Sequence, residues 1–131
     1  MDKRIIFALM LVATMLLVTS CTTDEAQEGS TKGSGAPAKV DQVDIELIQD
    51  HYYAVVKGFY PDPCTGISDI TQDVEEERIV ISLFTDRPQD LMCAQMLTEY
   101  QVNLLLETGG LPPGEFTVEV NDRQVSFSLG Q

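Results

Sequence analysis

One histidine, three cysteines and 21 carboxylates are the side chains of this 131-residue chain from which chemistry could be built. A hydrolytic triad needs an imidazole of suitable pKa beside a nucleophile. His51 is the sole histidine and is expected in a turn, so every Ser-His or Cys-His scheme would hang on that one position. Paired carboxylates for sugar hydrolysis are present in number, yet no Asp or Glu stands in an apolar run that would raise its pKa toward a general acid's. Asp69, Asp73 and Glu75, followed by Glu76 and Glu77, are the calcium candidate. They offer oxygens without the Asp-x-Asp-x-Asp-Gly spacing, and a triple Glu at a strand end serves as well to discourage edge pairing. Gly29, Gly33 and Gly35 lie in a polar stretch with no helix after them, so they make no phosphate loop. Among the aromatics, Tyr52 and Tyr53 must point to opposite faces of a strand, and Tyr60, in Tyr60-Pro61-Asp62-Pro63, is expected to be exposed. Tyr60 and Tyr52 are therefore the candidate contacts for a glycan or peptide. The expectation is a chain without catalytic residues, resident metal or cofactor.

Charge narrows the partners further. The net charge is -13, and beyond Ser20 the chain holds 20 acids against 6 bases, which disfavours nucleic acid because nothing could neutralise a run of phosphates.

The apolar residues are unevenly spread. Lys3 and Arg4 precede an apolar run from Ile5 to Val18, followed by the small residues Thr19 and Ser20. That order is an export signal, and its run of 14 residues falls short of the roughly 20 a membrane-spanning helix needs. The segment Val18-Thr19-Ser20-Cys21 resembles the lipobox of bacterial lipoproteins. The resemblance implies that Met1–Ser20 is removed, that Cys21 receives diacylglyceryl and further acyl (palmitate-type) chains, and that the mature chain begins there. Residue 22 is Thr and not the Asp that favours retention at an inner membrane, so the expected address is extracytoplasmic, at the outer membrane or cell surface. The membrane then holds the protein through lipid alone, at about 0.8 kcal/mol per buried methylene.

From Thr22 to Lys39 no large apolar side chain occurs, and residues 21–40 read as a lipidated flexible tether. As a coil, its 18 residues after the cysteine would reach roughly 23 Å. With Cys21 assigned to lipid, Cys64 and Cys93 remain as an even pair in an exported chain. A disulfide is the economical reading, since zinc wants four ligands and one histidine cannot complete the set. Closing about 30 residues would contribute roughly 3.6 kcal/mol.

Residues 41–131 must supply the fold, and they read as strands. Val43, Ile45 and Leu47 alternate with Asp44 and Glu46. Tyr52–Phe59, Ile67–Val74 and Ile79–Phe84 follow, separated by turn residues. A two-residue turn at Asn121-Asp122 pairs Val120 with Arg123, Val118 with Val125 and Phe116 with Phe127, with polar pairs on the other face. Residues 90–107 admit two readings. Tyr100, Val102, Leu104 and Leu106 alternate as a strand after a loop with one helical turn near Leu91–Leu97, whereas an Asp90 cap and Leu91, Ala94, Leu97 and Leu104 suit a helix and an α+β fold. The first is preferred. Seven strands then make an all-β, antiparallel two-sheet sandwich with one disulfide. The run Leu111–Asn121 resembles the late strands of immunoglobulin-like and fibronectin-III-like modules of secreted bacterial proteins. Together with Gly58–Pro63 before Cys64 and with Cys93-Ala94-Gln95, it is similar to small envelope lipoprotein domains of no assigned activity.

The expected function is a lipid-anchored, non-enzymatic binding or structural module of the cell envelope, with a protein or glycan as ligand. The alternatives are a small envelope hydrolase using paired carboxylates and a calcium-dependent adhesive module.

Overall fold

The computed structural model describes residues 35–130. The export signal and Cys21 lie outside the described residues. Among the described residues the patterning is realised as eight strands: β1 (Ala36–Pro37), β2 (Val40–Ile48), β3 (His51–Tyr60), β4 (Gly66–Glu75), β5 (Arg78–Asp86), β6 (Thr98–Leu105), β7 (Gly114–Val120) and β8 (Arg123–Leu129). They form a β-sandwich. One sheet runs β1-β5-β7-β8 with β4 on the other edge of β5, and the second runs β2-β3-β6.

On β5 the buried Ile79, Ile81 and Leu83 alternate with half-buried Val80 and Ser82, as one face of a pleated strand must. They meet Val118 and Val120 of β7 and Ala54 and Val56 of β3 in one core. The last hairpin has the expected register, Phe116 opposite Phe127 and Val118 opposite Val125. No helix occurs among the described residues, which removes the α+β alternative. In 98–106 the alternation holds to its end: Tyr100 and Leu106 are buried, and Leu105 between Leu104 and Leu106 points outward at 53% exposure.

Three features depart from the sequence reading. First, the folded body begins before residue 41. Ala36 and Pro37 pair with Thr85 and Phe84, Ala38 N–H donates to Leu83 O at 2.8 Å, and Ala38 and Val40 are buried. Small side chains there are a packing requirement, because a Cβ on Gly35 would lie 2.4 Å from Thr85 O. Second, residues 91–97 form no helical turn. Leu91, Met96 and Leu97 are at least half exposed, so a helix there would have no core to pack its apolar face against. Third, β5 and β7 are parallel, Arg78 opposite Thr117 through Ile81 opposite Val120, while every other strand pair is antiparallel. The cause is connectivity. The chain leaves β5, crosses to the second sheet for β6, and returns, so two reversals bring β7 in along the direction of β5.

β7 and β1 share one edge of β5, end to end, and Asn121 closes the seam between them. Its backbone N–H donates to Ile81 O at 3.0 Å, and its Nδ2 donates to Ala38 O at 2.7 Å and to Leu83 O at 3.1 Å. Its Oδ1 accepts from Leu83 N–H at 2.9 Å. The side-chain amide thus stands in for the peptide unit that a continuous strand would have provided.

Candidate functional site

Pro61 and Pro63 confine the backbone around Asp62, and the short carboxylate folds back on the chain that follows it, an Asx-type turn. Oδ1 of Asp62 accepts from Cys64 N–H at 2.9 Å, Thr65 N–H at 3.0 Å and the Thr65 hydroxyl at 3.2 Å. Oδ2 accepts from Arg87 Nε at 2.8 Å, tying the β3–β4 turn to the end of β5. Asp62 is buried. Burial by itself would push its carboxyl pKa up, but the Cys64 N–H, the Thr65 hydroxyl, the Arg87 charge and the Thr65 N–H together outweigh it and hold the pKa below its ordinary value.

Two residues beyond Asp62, Cys64 is joined to Cys93 by a disulfide with a Cα–Cα separation of 6.1 Å. The bond fixes the middle of the 87–97 loop that crosses between the sheets. Asp62, Cys64 and Cys93 are the one group of potential metal ligands that converges among the described residues, their ligand atoms within 4.8 Å of one another. Its sulfurs are spent on each other and its carboxylate on Arg87 and the turn. The cluster is thus a clamp. Beside the exposed Gln89, Asp90 and Gln95, the loop presents four large apolar side chains to solvent: Leu91 is 52% exposed, Met96 61%, Leu97 71%, and Met92 fully so.

Beneath the clamp, Tyr60 stacks on Tyr100 with ring centroids 4.6 Å apart and planes 18° from parallel. The Tyr100 hydroxyl donates to Lys39 O at 2.9 Å, pinning the chain where it passes from β1 to β2. This contact needs Gly58, where a Cβ would lie 2.1 Å from Lys39 O and 2.7 Å from the Tyr100 ring and hydroxyl. Burial, with lesser contributions from Tyr60 and Asp122, pushes the Tyr100 phenol up to about 12.

The ORF11 β-sandwich domain matches residues 54–129. The chain belongs to that family. Its relatives include three proteins of Herpetosiphon aurantiacus, each called an uncharacterized 10.2 kDa protein, in the HgiCIIM, HgiBIM and HgiEIM 5′ regions. Each is 36% identical over 74 residues, 56% of this chain, which cover 78% of the first relative and 89% of the other two. No solved structure matches the chain significantly.

In this ORF11 β-sandwich the residues singled out by sequence are placed as follows. Cys64 and Cys93 are brought together. Tyr60 is half-buried and stacked instead of standing clear of the proline turn, because its ring completes the core beside Tyr100. Tyr52 is likewise half-buried against Phe127 at 5.1 Å. Its hydroxyl donates to Ser128 O at 3.3 Å and accepts from Gly130 N–H at 3.4 Å. Asp69, Asp73 and Glu75 share β4 without converging: Asp69 accepts from Ile70 N–H, Asp73 is exposed, and Glu75 pairs with Arg78 at 2.9 Å. His51, expected in a turn, is the exposed first residue of β3. Sequence reasoning missed Asp62, Arg87 and the apolar loop. Pro-Asp-Pro-Cys-Thr is a turn signature that would have pointed to Asp62, and Leu-Met-Cys-Ala-Gln-Met-Leu without a strand partner would have pointed to the loop.

Proposed function

We propose that this protein is a lipoprotein, cleaved before Cys21 and acylated on it, whose ORF11 β-sandwich works as a non-catalytic binding or structural module on the extracytoplasmic side of the cell envelope. The observation that carries the reading is the Cys64–Cys93 disulfide. Such a bond belongs to an oxidising compartment, and it agrees with the export pattern and lipobox-like Val18–Cys21, which lie far from it in sequence. A lipid on Cys21 anchors the domain without using the strand faces, so those faces stay available for a protein or glycan partner.

Mass spectrometry of protein purified from its host membranes tests the anchor. The expected result is a chain beginning at Cys21 with diacylglyceryl and acyl mass added, and a Cys21→Ser variant released from the membrane fraction. An unmodified Met1 start, or a Cys21→Ser variant that stays with membranes, would remove the reading.

A further inference from the structure

We infer that the 87–97 loop seats the sandwich on the bilayer that holds its anchor, with Leu91, Met92, Met96 and Leu97 in the boundary between headgroups and acyl chains. The inference rests on the lipoprotein reading above and adds to it which end of the domain faces lipid.

The first argument is position. Gly35, the first described residue, lies against Thr85 and Ser68, and Ala36 pairs with Thr85, directly before the loop that starts at Arg87. The chain therefore enters the sandwich at the end that carries the apolar loop. Only the 13 residues Thr22–Ser34 separate Cys21 from Gly35. No chain of that length spans more than about 45 Å. An anchor on Cys21 thus holds this end nearest the membrane.

The second argument is shape and charge. Met92 projects fully into solvent beside Cys93, on a loop fixed in its middle by the disulfide and at its start by Arg87 on Asp62, and with Leu91, Met96 and Leu97 it makes an exposed apolar tip at this end of the sandwich. A fluid acyl layer can close around such a tip, whereas a protein partner would have to supply a matching hollow. Unbranched methionine adapts readily to either, and it costs little to desolvate. From Arg87 to Leu97 the loop holds one base and one acid. The opposite end, at the β2–β3 and β4–β5 turns, gathers Asp50, Glu75, Glu76 and Glu77. Asp86 and Glu99 flank the loop, so the loop's end is acidic too, but it carries no run like Glu75–Glu77 and approaches headgroups with the lesser repulsion.

The chain contains no tryptophan, so a single introduced one reports position without background. Leu97→Trp, with Met92→Trp as a second reporter should the first fail to fold, is compared with Leu47→Trp, which lies beside the far turn and is 56% exposed in the parent. Each full-length lipidated variant is reconstituted in phosphatidylcholine vesicles with brominated acyl chains, and Cys21 acylation is checked by mass. The expected result is blue-shifted emission and quenching several-fold stronger at positions 92 and 97 than at 47. Acylated Cys21 with quenching at the loop no stronger than at 47 overturns this inference and leaves the anchor standing. A blue shift without bromolipid quenching means that protein, a partner or a second copy, covers the loop, and also overturns it. Unmodified Cys21 overturns both readings together.

Discussion

Asn121 holds the edge of β5 together with one side chain, and its chemistry cannot be replaced by its closest relatives. Its φ of +52° suits Asn, which tolerates the left-handed region, and its amide supplies both a donor and an acceptor to backbone groups of Ala38 and Leu83. Asn121→Gly would keep the turn and lose the bonds. Asn121→Asp would keep the acceptor but turn an anion toward two carbonyl oxygens, so it should be the worse of the two. Both should destabilise, by about 2–4 kcal/mol for Asp on the usual worth of part-buried hydrogen bonds, read as a lower urea midpoint. A midpoint unchanged in Asn121→Asp would mean that the amide does not close the seam. Tyr100 gives a second prediction at this scale. Its phenol has a folded pKa of about 12 against an ordinary 10.0, so the folded state keeps a proton that the unfolded chain gives up. The associated stability is intact below pH 10 and is lost as pH rises from 10 through about 12. Tyr100→Phe should be less stable near neutrality for want of the bond to Lys39 O, and its stability should fall less across that alkaline window. Parallel profiles for the two proteins would contradict the assignment.

Strands were legible in the sequence where one face is core and the next residue is not, because period-two alternation is a local signal. Phe116–Phe127 and the Tyr100–Leu106 alternation are of this kind. Alternation says which side chains turn inward but not which strand lies alongside. The parallel β5–β7 pair and the capture of Ala36–Pro37 by β5 were therefore invisible in a stretch chosen for small side chains. The site was legible in its covalent bond and not in its surface: two cysteines announce a disulfide, whereas exposure of Leu91 and Met92 depends on what the crossing loop fails to reach. Two predictions belong to these elements. The β2–β3 hairpin turns through Gln49 and Asp50, both at positive φ, 48° and 64°, as a type I′ turn requires, and neither residue is the preferred one. Gln49→Asn combined with Asp50→Gly should stabilise by about 1 kcal/mol, the relief of left-handed strain at two residues, seen as a higher urea midpoint with unchanged slope. The disulfide closes a sequence separation of 29, and Cys64→Ser with Cys93→Ser should cost about 2–4 kcal/mol. Limited proteolysis should then cut the double variant within 87–97 well before the parent. Equal lifetimes would show that the Asp62–Arg87 pair alone holds the loop.

At the scale of the whole molecule, charge is the largest unbalanced quantity: residues 35–130 hold 17 acids and 5 bases. Few are paired. Among the described residues the ion pairs are Arg78 with Glu75 and Glu119, and Arg87 with Asp62, which leaves most carboxylates on the strand faces and turns to repel one another. Folding brings these charges closer than the extended chain does, so self-repulsion works against the compact state and screening relieves it. Sodium chloride should therefore raise the thermal midpoint. Divalent cations should raise it further, by gathering around the acids as counter-ions. The distribution of the acids makes the comparison between two divalents decisive. Asp69, Asp73 and Glu75 point from one strand without meeting, so they form no cage of six to eight oxygens of the kind calcium takes. A counter-ion atmosphere does not distinguish calcium from magnesium, whereas a coordination site does, since magnesium is smaller and sheds water reluctantly. Equal concentrations of calcium and magnesium chloride should shift the midpoint equally. A rise specific to calcium, growing with its concentration as binding to the native state alone demands, would instead show that carboxylates on β4 and its turn come together around an ion, and would return the adhesive reading to consideration.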